Sequence, residues 1–168
     1  MRLPSLSAST MPELLLICRA NLCRSPLAEG VVGILLREGE FQGDWTTASA
    51  GTWAPQGREA HPHTLALLKE KGIDLSGHRS REVTGKILAA ADLVLTMEAG
   101  QAEALRTEFP DQRSKIHLLS ELAGIQRDIP DPVGGTVEDF RQTFALIESF
   151  LKGREEKLRS WISQTEVF

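Results

Sequence analysis

Cys18 and Arg24 bracket the stretch Cys18-Arg-Ala-Asn-Leu-Cys-Arg24, which runs straight into Ser25-Pro26. An apolar run, Leu14-Leu15-Leu16-Ile17, precedes it and an amphipathic pattern follows, so the stretch reads as a loop between a strand and a helix. Such a loop aims successive backbone N–H groups and a helix N-terminus at one point, which suits a tetrahedral anion. Cys18 then sits at the floor of the cradle as a thiolate, favoured by the helix terminus and a neighbouring cation. Arg24 grips two anion oxygens in a fork that lysine cannot copy. A nucleophile under a bound phosphate is the equipment for phosphoryl transfer through a cysteinyl-phosphate intermediate. The spacing alone is a weak pattern, because a buried cysteine and a solvated arginine often fall this way. Context sharpens it: Ser25 is placed to N-cap the helix, Pro26 suits its first position, and a distant Asp131-Pro132 pair offers an acid.

These residues need elements to hold them. Four strand-like runs alternate with helical patterns. The first, 13–17, is a continuous apolar run of the kind buried on both faces of a parallel sheet. Helix follows over 26–38, with Leu27, Val31 and Leu35 on one stripe and Gly39 placed to end it. Strands are expected at 46–50, 92–97 and 115–119, and helices at 62–71 (Leu65 and Leu68 inward), 84–91 and 101–108. The last helix begins near Thr136, whose spacing to Asp139 resembles a capping box. It buries Phe140, Phe144, Ile147 and Leu151, with Leu158 and Trp161 continuing the stripe. This alternation implies an α/β fold: a four-stranded parallel sheet flanked by helices on both faces, with the phosphate-binding loop after the first strand. Ligands in such folds bind beyond the carboxyl ends of the strands, which is where Cys18 lies.

With 168 residues there is room for one domain with a real core. No apolar stretch approaches the length of a membrane span, and residues 1–12 lack the apolar centre of a secretory signal. They read as a flexible tail in which Met11 could serve as an alternative start. A net charge of −4 argues against a general nucleic-acid binder, so any anion site must be a local concentration of positive charge. Two cysteines so close in sequence make a poor staple for a chain of this size, which favours a reducing cytoplasm. The chain has no tyrosine, so phosphorylation of its own tyrosines cannot regulate it.

The sequence resembles the low-molecular-weight protein-tyrosine phosphatase family. The resemblance rests on 18–25 with Pro26 and Glu29, on Ser49-Ala50-Gly51-Thr52, on the run from Gly72-Ile73-Asp74 through Gly77-His78 to Arg81, and on Asp131-Pro132, in that order and at matching spacing. It covers nearly everything after residue 12 and implies a single phosphatase domain over 13–168. It also implies that Cys18 is the nucleophile, Arg24 the phosphate clamp and Asp131 the general acid and base. Arg19, Ala20, Asn21, Leu22, Cys23 and Ser25 then make up the rest of the phosphate-binding loop, and Ser25 donates its hydroxyl to the Cys18 thiolate. Ser49 and His78 match a supporting hydrogen-bond network, although His78 beside Gly77 also reads as an ordinary turn histidine. Cys23 matches a cysteine able to close a reversible disulfide with the nucleophile. No metal or organic cofactor is implied. The implied partners are tyrosine-phosphorylated proteins and a cognate tyrosine kinase, with no nucleic acid and no membrane.

Three departures stand out. Ala20 occupies a position where the family usually has glycine, so the loop must avoid a positive φ there or bear some strain. Arg19 adds a second cation beside the nucleophile. Val133 replaces the aromatic residue that often packs on the substrate ring, leaving Trp53 as a replacement wall or a core residue. Three alternatives share the loop. A thioredoxin-linked arsenate reductase needs further thiols downstream, and no cysteine follows Cys23. A protein-arginine phosphatase has Thr where this chain has Leu22. An inactive oxyanion-binding module has no need to keep Cys18, Arg24 and Asp131 together.

Overall fold

A computed structural model describes residues 11–165. The tail expected at 1–12 therefore lies, apart from its last two residues, outside the described residues. Four strands, β1 (Glu13–Cys18), β2 (Thr46–Gly51), β3 (Leu93–Thr96) and β4 (Ile116–Leu118), form one sheet in the order β2-β1-β3-β4. All neighbours are parallel, with Cys18 opposite Gly51 and Ile17 opposite Thr96. The helices are α1 (Arg24–Arg37), α2 (Pro62–Glu70), α3 (Gly85–Ala90), α4 (Ala99–Glu108), α5 (Val137–Leu151) and α6 (Glu155–Thr165). Two 3₁₀ turns, Pro110–Lys115 and Leu119–Ala123, flank β4 and were not legible from the sequence.

The apolar run of β1 serves both faces, as its continuity requires. Leu14 and Leu16 join Val31, Leu35, Phe140 and Ile147 in one core. Leu15 and Ile17 point the other way, against Leu88, Val94, Ala102 and Leu105. Successive side chains of a strand alternate between faces, so one short segment anchors both layers. Because β2 and β3 lie on opposite sides of β1, their connections diverge and leave a crevice at its carboxyl end. Cys18 closes the strand at that crevice.

Two expectations are corrected. Helix α1 begins at Arg24 rather than Pro26, and Cys23 is its N-cap. Ser25 is thus inside the first turn and does not cap: its hydroxyl is drawn to the Cys18 sulfur and Asn21 instead. The apolar stripe expected to continue from α5 is two helices. The chain breaks at Gly153, with φ of 74°, a left-handed turn that glycine makes without a Cβ clash. Leu158, Trp161 and Ile162 of α6 return to the same core, and Trp161 stacks on His117 with centroids 4.1 Å apart. The capping box at Thr136 forms as expected, and Gly39 ends the segment after α1 with φ of 74°. Within α2 the residues fully buried are Thr64, Leu67 and Leu68, while Leu65 is only half-buried.

Candidate active site

The loop from Cys18 to Arg24 folds over the end of β1 because β2 lets it come close. Gly51 lies beside it, and a Cβ there would run into the carbonyl oxygen of Arg19. The N–H groups of Thr52 and Trp53 donate to the carbonyls of Cys18 and Arg19, at 3.0 and 2.9 Å. The turn needs one left-handed residue, and that residue is Asn21, with φ of 57°. Asparagine tolerates this region better than most side chains. Among the described non-glycine residues it alone has a positive φ, so Ala20 bears none of the strain its departure from glycine threatened.

Asn21 is fully buried and holds the loop from inside. Its Nδ2 donates to Ser25 Oγ and to Ser49 Oγ, both at 2.8 Å, and its Oδ1 accepts from the Arg81 backbone N–H at 3.0 Å. His78 Nε2 donates to the Asn21 carbonyl at 2.8 Å. Ser49 and His78 therefore lie behind the loop, in contact with it and away from the open cavity. Glu29 stands behind them, where burial raises its carboxyl pKa while a hydrogen bond from Ser49 and the charges of His78 and Arg81 oppose that rise.

In front of the loop, Cys18 Sγ lies 3.0 Å from Ser25 Oγ and accepts the Asn21 N–H at 3.3 Å. The first hydrogen bond of α1 runs from Leu27 N to Cys23 O, so the N–H groups of Arg24 and Ser25 have no acceptor within the helix. Arg24 is 1 % exposed, and a charge so buried requires partners. It has Glu98, whose Oε1 accepts from Nη1 at 2.5 Å, and the Ile129 carbonyl at 2.8 Å. Its other terminal nitrogen, Nη2, lies 3.5 Å from Asp131 Oδ2. Asp131 Oδ1 accepts the Val133 N–H at 3.1 Å, which fixes the carboxylate on its proline-flanked loop. The three chemistry-bearing residues thus converge across more than 100 positions of sequence. Glu98 was not among the expected site residues. Its one signal is an acidic residue just past the carboxyl end of β3.

A cavity of about 320 Å³ opens over the sulfur, lined by Cys18, Arg19, Ala20, Leu22, Cys23, Arg24, Trp53, Pro55, His61, Asp131 and Val133. Trp53 is 70 % exposed, so it belongs to the rim and not to the core, and the Arg19 guanidinium stacks 5.1 Å from its ring centroid. Val133, 61 % exposed, faces the cavity from the Asp131 loop. His61 is an unexpected wall. Its ring stacks on Phe140, its N–H donates to the Leu22 carbonyl, and its Nδ1 accepts from the His63 N–H, leaving its proton on Nε2. Burial, then the neighbouring His63, lowers the His61 pKa against the opposing pull of Asp131. The Cys23 thiol is pushed up to about 12, chiefly by burial and then by the charges of Asp131 and Cys18, against the opposing charge of Arg24. No cluster suited to a metal ion is present among the described residues.

Comparison with known proteins bears on this arrangement. The family described as "Low molecular weight phosphotyrosine protein phosphatase" matches residues 13–162. A protein-arginine-phosphatase of Geobacillus stearothermophilus is 34% identical over 149 residues, covering 88% of this chain and 97% of that protein. A putative low molecular weight protein-tyrosine-phosphatase of Klebsiella pneumoniae is 34% identical over 147 residues, with the same coverage. Among solved structures, a low molecular weight protein tyrosine phosphatase from T. tengcongensis superimposes with a TM-score of 0.81 at 34% identity, over 89% of this chain and 100% of that one.

Proposed function

Because this chain belongs to the low-molecular-weight protein-tyrosine phosphatase family of hydrolases, we propose that it hydrolyses phosphotyrosine in proteins through a cysteinyl-phosphate intermediate. One observation carries the reading: a single cavity joins the Cys18 sulfur, the Arg24 fork and the Asp131 carboxylate. The Cys18 thiolate attacks phosphorus in line, forming the S–P bond as the P–O bond to the tyrosine oxygen breaks. Arg24 and the loop N–H groups hold the equatorial oxygens. Asp131, protonated at this stage, gives its proton to the departing oxygen. It then takes a proton from the water that attacks phosphorus, and cleavage of the S–P bond releases phosphate and the thiolate. Ser25 supports the thiolate, while Asn21, Ser49 and His78 keep the loop in shape.

Depth favours tyrosine. Cys18 is 2 % exposed, so a short phosphoserine side chain would leave its phosphorus above the sulfur. A second reading, phosphoarginine, is supported by the Geobacillus relative's name. Leu22 opposes it, because an apolar branched side chain on the cavity wall offers a guanidinium no hydrogen bond. Peptides bearing phosphotyrosine, phosphoserine or phosphoarginine at matched positions decide the matter. We expect the highest kcat/KM for phosphotyrosine, whereas preference for phosphoarginine would overturn the tyrosine assignment and leave the cysteine chemistry intact. The partners are then tyrosine-phosphorylated proteins and the kinase that modifies them. No helix among the described residues is long and apolar enough to cross a membrane, and the two free thiols suit the cytoplasm.

The same two thiols make the enzyme redox-sensitive. Peroxide oxidises the Cys18 thiolate to a sulfenic acid. Attack by the Cys23 thiolate on that sulfur then forms the disulfide and expels hydroxide. Burial holds the Cys23 thiol well above its ordinary pKa, so little of it is thiolate near neutral pH and the fraction grows as pH rises. Disulfide yield after a fixed peroxide exposure should therefore rise from pH 6.5 to pH 8.5, with sulfinic acid prominent at the lower end. Mass spectrometry measures both products, and a yield independent of pH would contradict Cys23 as the resolving thiol.

A further inference from the structure

A larger cavity, about 580 Å³, lies on the other side of the Asp131 loop, between that loop and the outer face of α5. Its size falls in the range of ligand-binding clefts, and the mechanism above makes no use of it. Asp131 and Val133 line both this cavity and the one over Cys18, so the two abut along the ridge those residues form. Pro130 and Pro132 stiffen that ridge, and the opposite wall carries Ala145 and Leu146 of α5. The charges in it are unequal. Asp139 Oδ2 is occupied by the N–H and hydroxyl of Thr136, and Asp131 is occupied by Arg24 and Val133. Arg127, also on the lining, is exposed and makes no ion pair among the described residues. The cavity therefore offers apolar wall and one uncommitted cation.

We propose that this second cavity seats the stretch of substrate polypeptide next to the phosphorylated residue, taking an apolar side chain against Leu146 and Pro132 and a carboxylate beside Arg127. Continuity with the catalytic cavity carries the choice of occupant. A phosphorylated side chain inserted down to Cys18 leaves its own backbone at the rim, and a chain crossing that rim over Val133 enters this cleft. The inference rests on the phosphoprotein reading above, but its test is separate.

The probes are phosphotyrosyl peptides with a Leu-Glu pair placed one to four residues to either side in a glycine background, together with a bare aryl phosphate. In the wild type, one register should exceed the all-glycine peptide by about tenfold in kcat/KM, mostly through KM, as burial of one leucine side chain would give. Ala145→Trp fills the cleft from an exposed helix position, and Arg127→Glu reverses its charge. The first variant should erase the preferred register and the second should erase the preference for glutamate, both with aryl phosphate turnover unchanged. Equal rates in every register, or a preference that survives Ala145→Trp, would overturn the proposal. So would wild-type self-association at assay concentration that Ala145→Trp abolishes without changing peptide rates, since a second copy would then be the occupant. If the wild type turns over no phosphomonoester at all, the phosphatase reading itself fails, an outcome distinguishable from all of these.

Discussion

Cys18→Ser is expected to lower steady-state turnover of an aryl phosphate by about 10⁴-fold or more while binding of phosphate or vanadate remains measurable. The substitution changes one buried atom at the end of β1 and leaves the cradle standing. Asn21 still ties Ser25 to Ser49, and Arg24 is still held by Glu98 and the Ile129 carbonyl. The loss is chemical. A serine hydroxyl is almost wholly un-ionised where a thiolate is expected, so attack on phosphorus is slow. Any phosphate that did reach the serine would form an ordinary phosphate ester, with an alkoxide to expel in the second half-reaction. Turnover should therefore stop even if a single transfer occurs. Calorimetric phosphate binding alongside steady-state kinetics checks both halves, and activity near the wild-type level would remove Cys18 from the nucleophile's place.

How far such a site could be read in advance depends on the range of the contacts. The sheet was legible because β1 carries its evidence locally: four apolar residues in a row can only be buried on both faces, and both cores claim them. The Thr136 capping box and the Gly39 terminus are likewise local signals, spanning four residues and one. The start of α1 was misread because Ser-Pro is a sound local cap, but the helix begins two residues earlier, at Arg24, and no local rule weighs the demand of the loop that precedes it. Gly153 is visible in the sequence, yet the apolar stripe on either side of it masked the break between α5 and α6. Glu98 and the Ile129 carbonyl, which hold Arg24, come from 74 and 105 positions away. His61 faces the cavity through a ring packed on Phe140, a contact that no spacing encodes. The motifs thus named the reacting groups and also Asn21, Ser25, Ser49 and His78 behind the loop, whereas Glu98, the Ile129 carbonyl and His61 emerged only from the fold.

Asp131→Asn should separate the two halves of the reaction. Asparagine keeps an oxygen for the Val133 N–H, so the loop keeps its shape, and Arg24 remains anchored by Glu98. What disappears is the carboxyl group able to carry the transferred proton, whose Oδ2 lies 3.5 Å from Arg24 Nη2. The ratio kcat/KM reports the step that forms the S–P bond, in which the leaving oxygen must be protonated unless it is already a stable anion. For an unactivated phenol the loss should reach about 10²–10⁴-fold, whereas for a strongly acidic nitrophenol it should be small, making the dependence on leaving-group basicity steeper in the variant. Hydrolysis of the cysteinyl phosphate no longer contains the phenol, so wherever that step limits turnover, kcat should fall by one common factor for every substrate. Binding of inorganic phosphate should hold or tighten, since a negative charge has left the mouth of an anion site. Equal losses in kcat/KM across the aryl phosphate series would show that Asp131 does not supply the proton, and would leave its place on the wall of the Cys18 cavity to be explained by electrostatics alone.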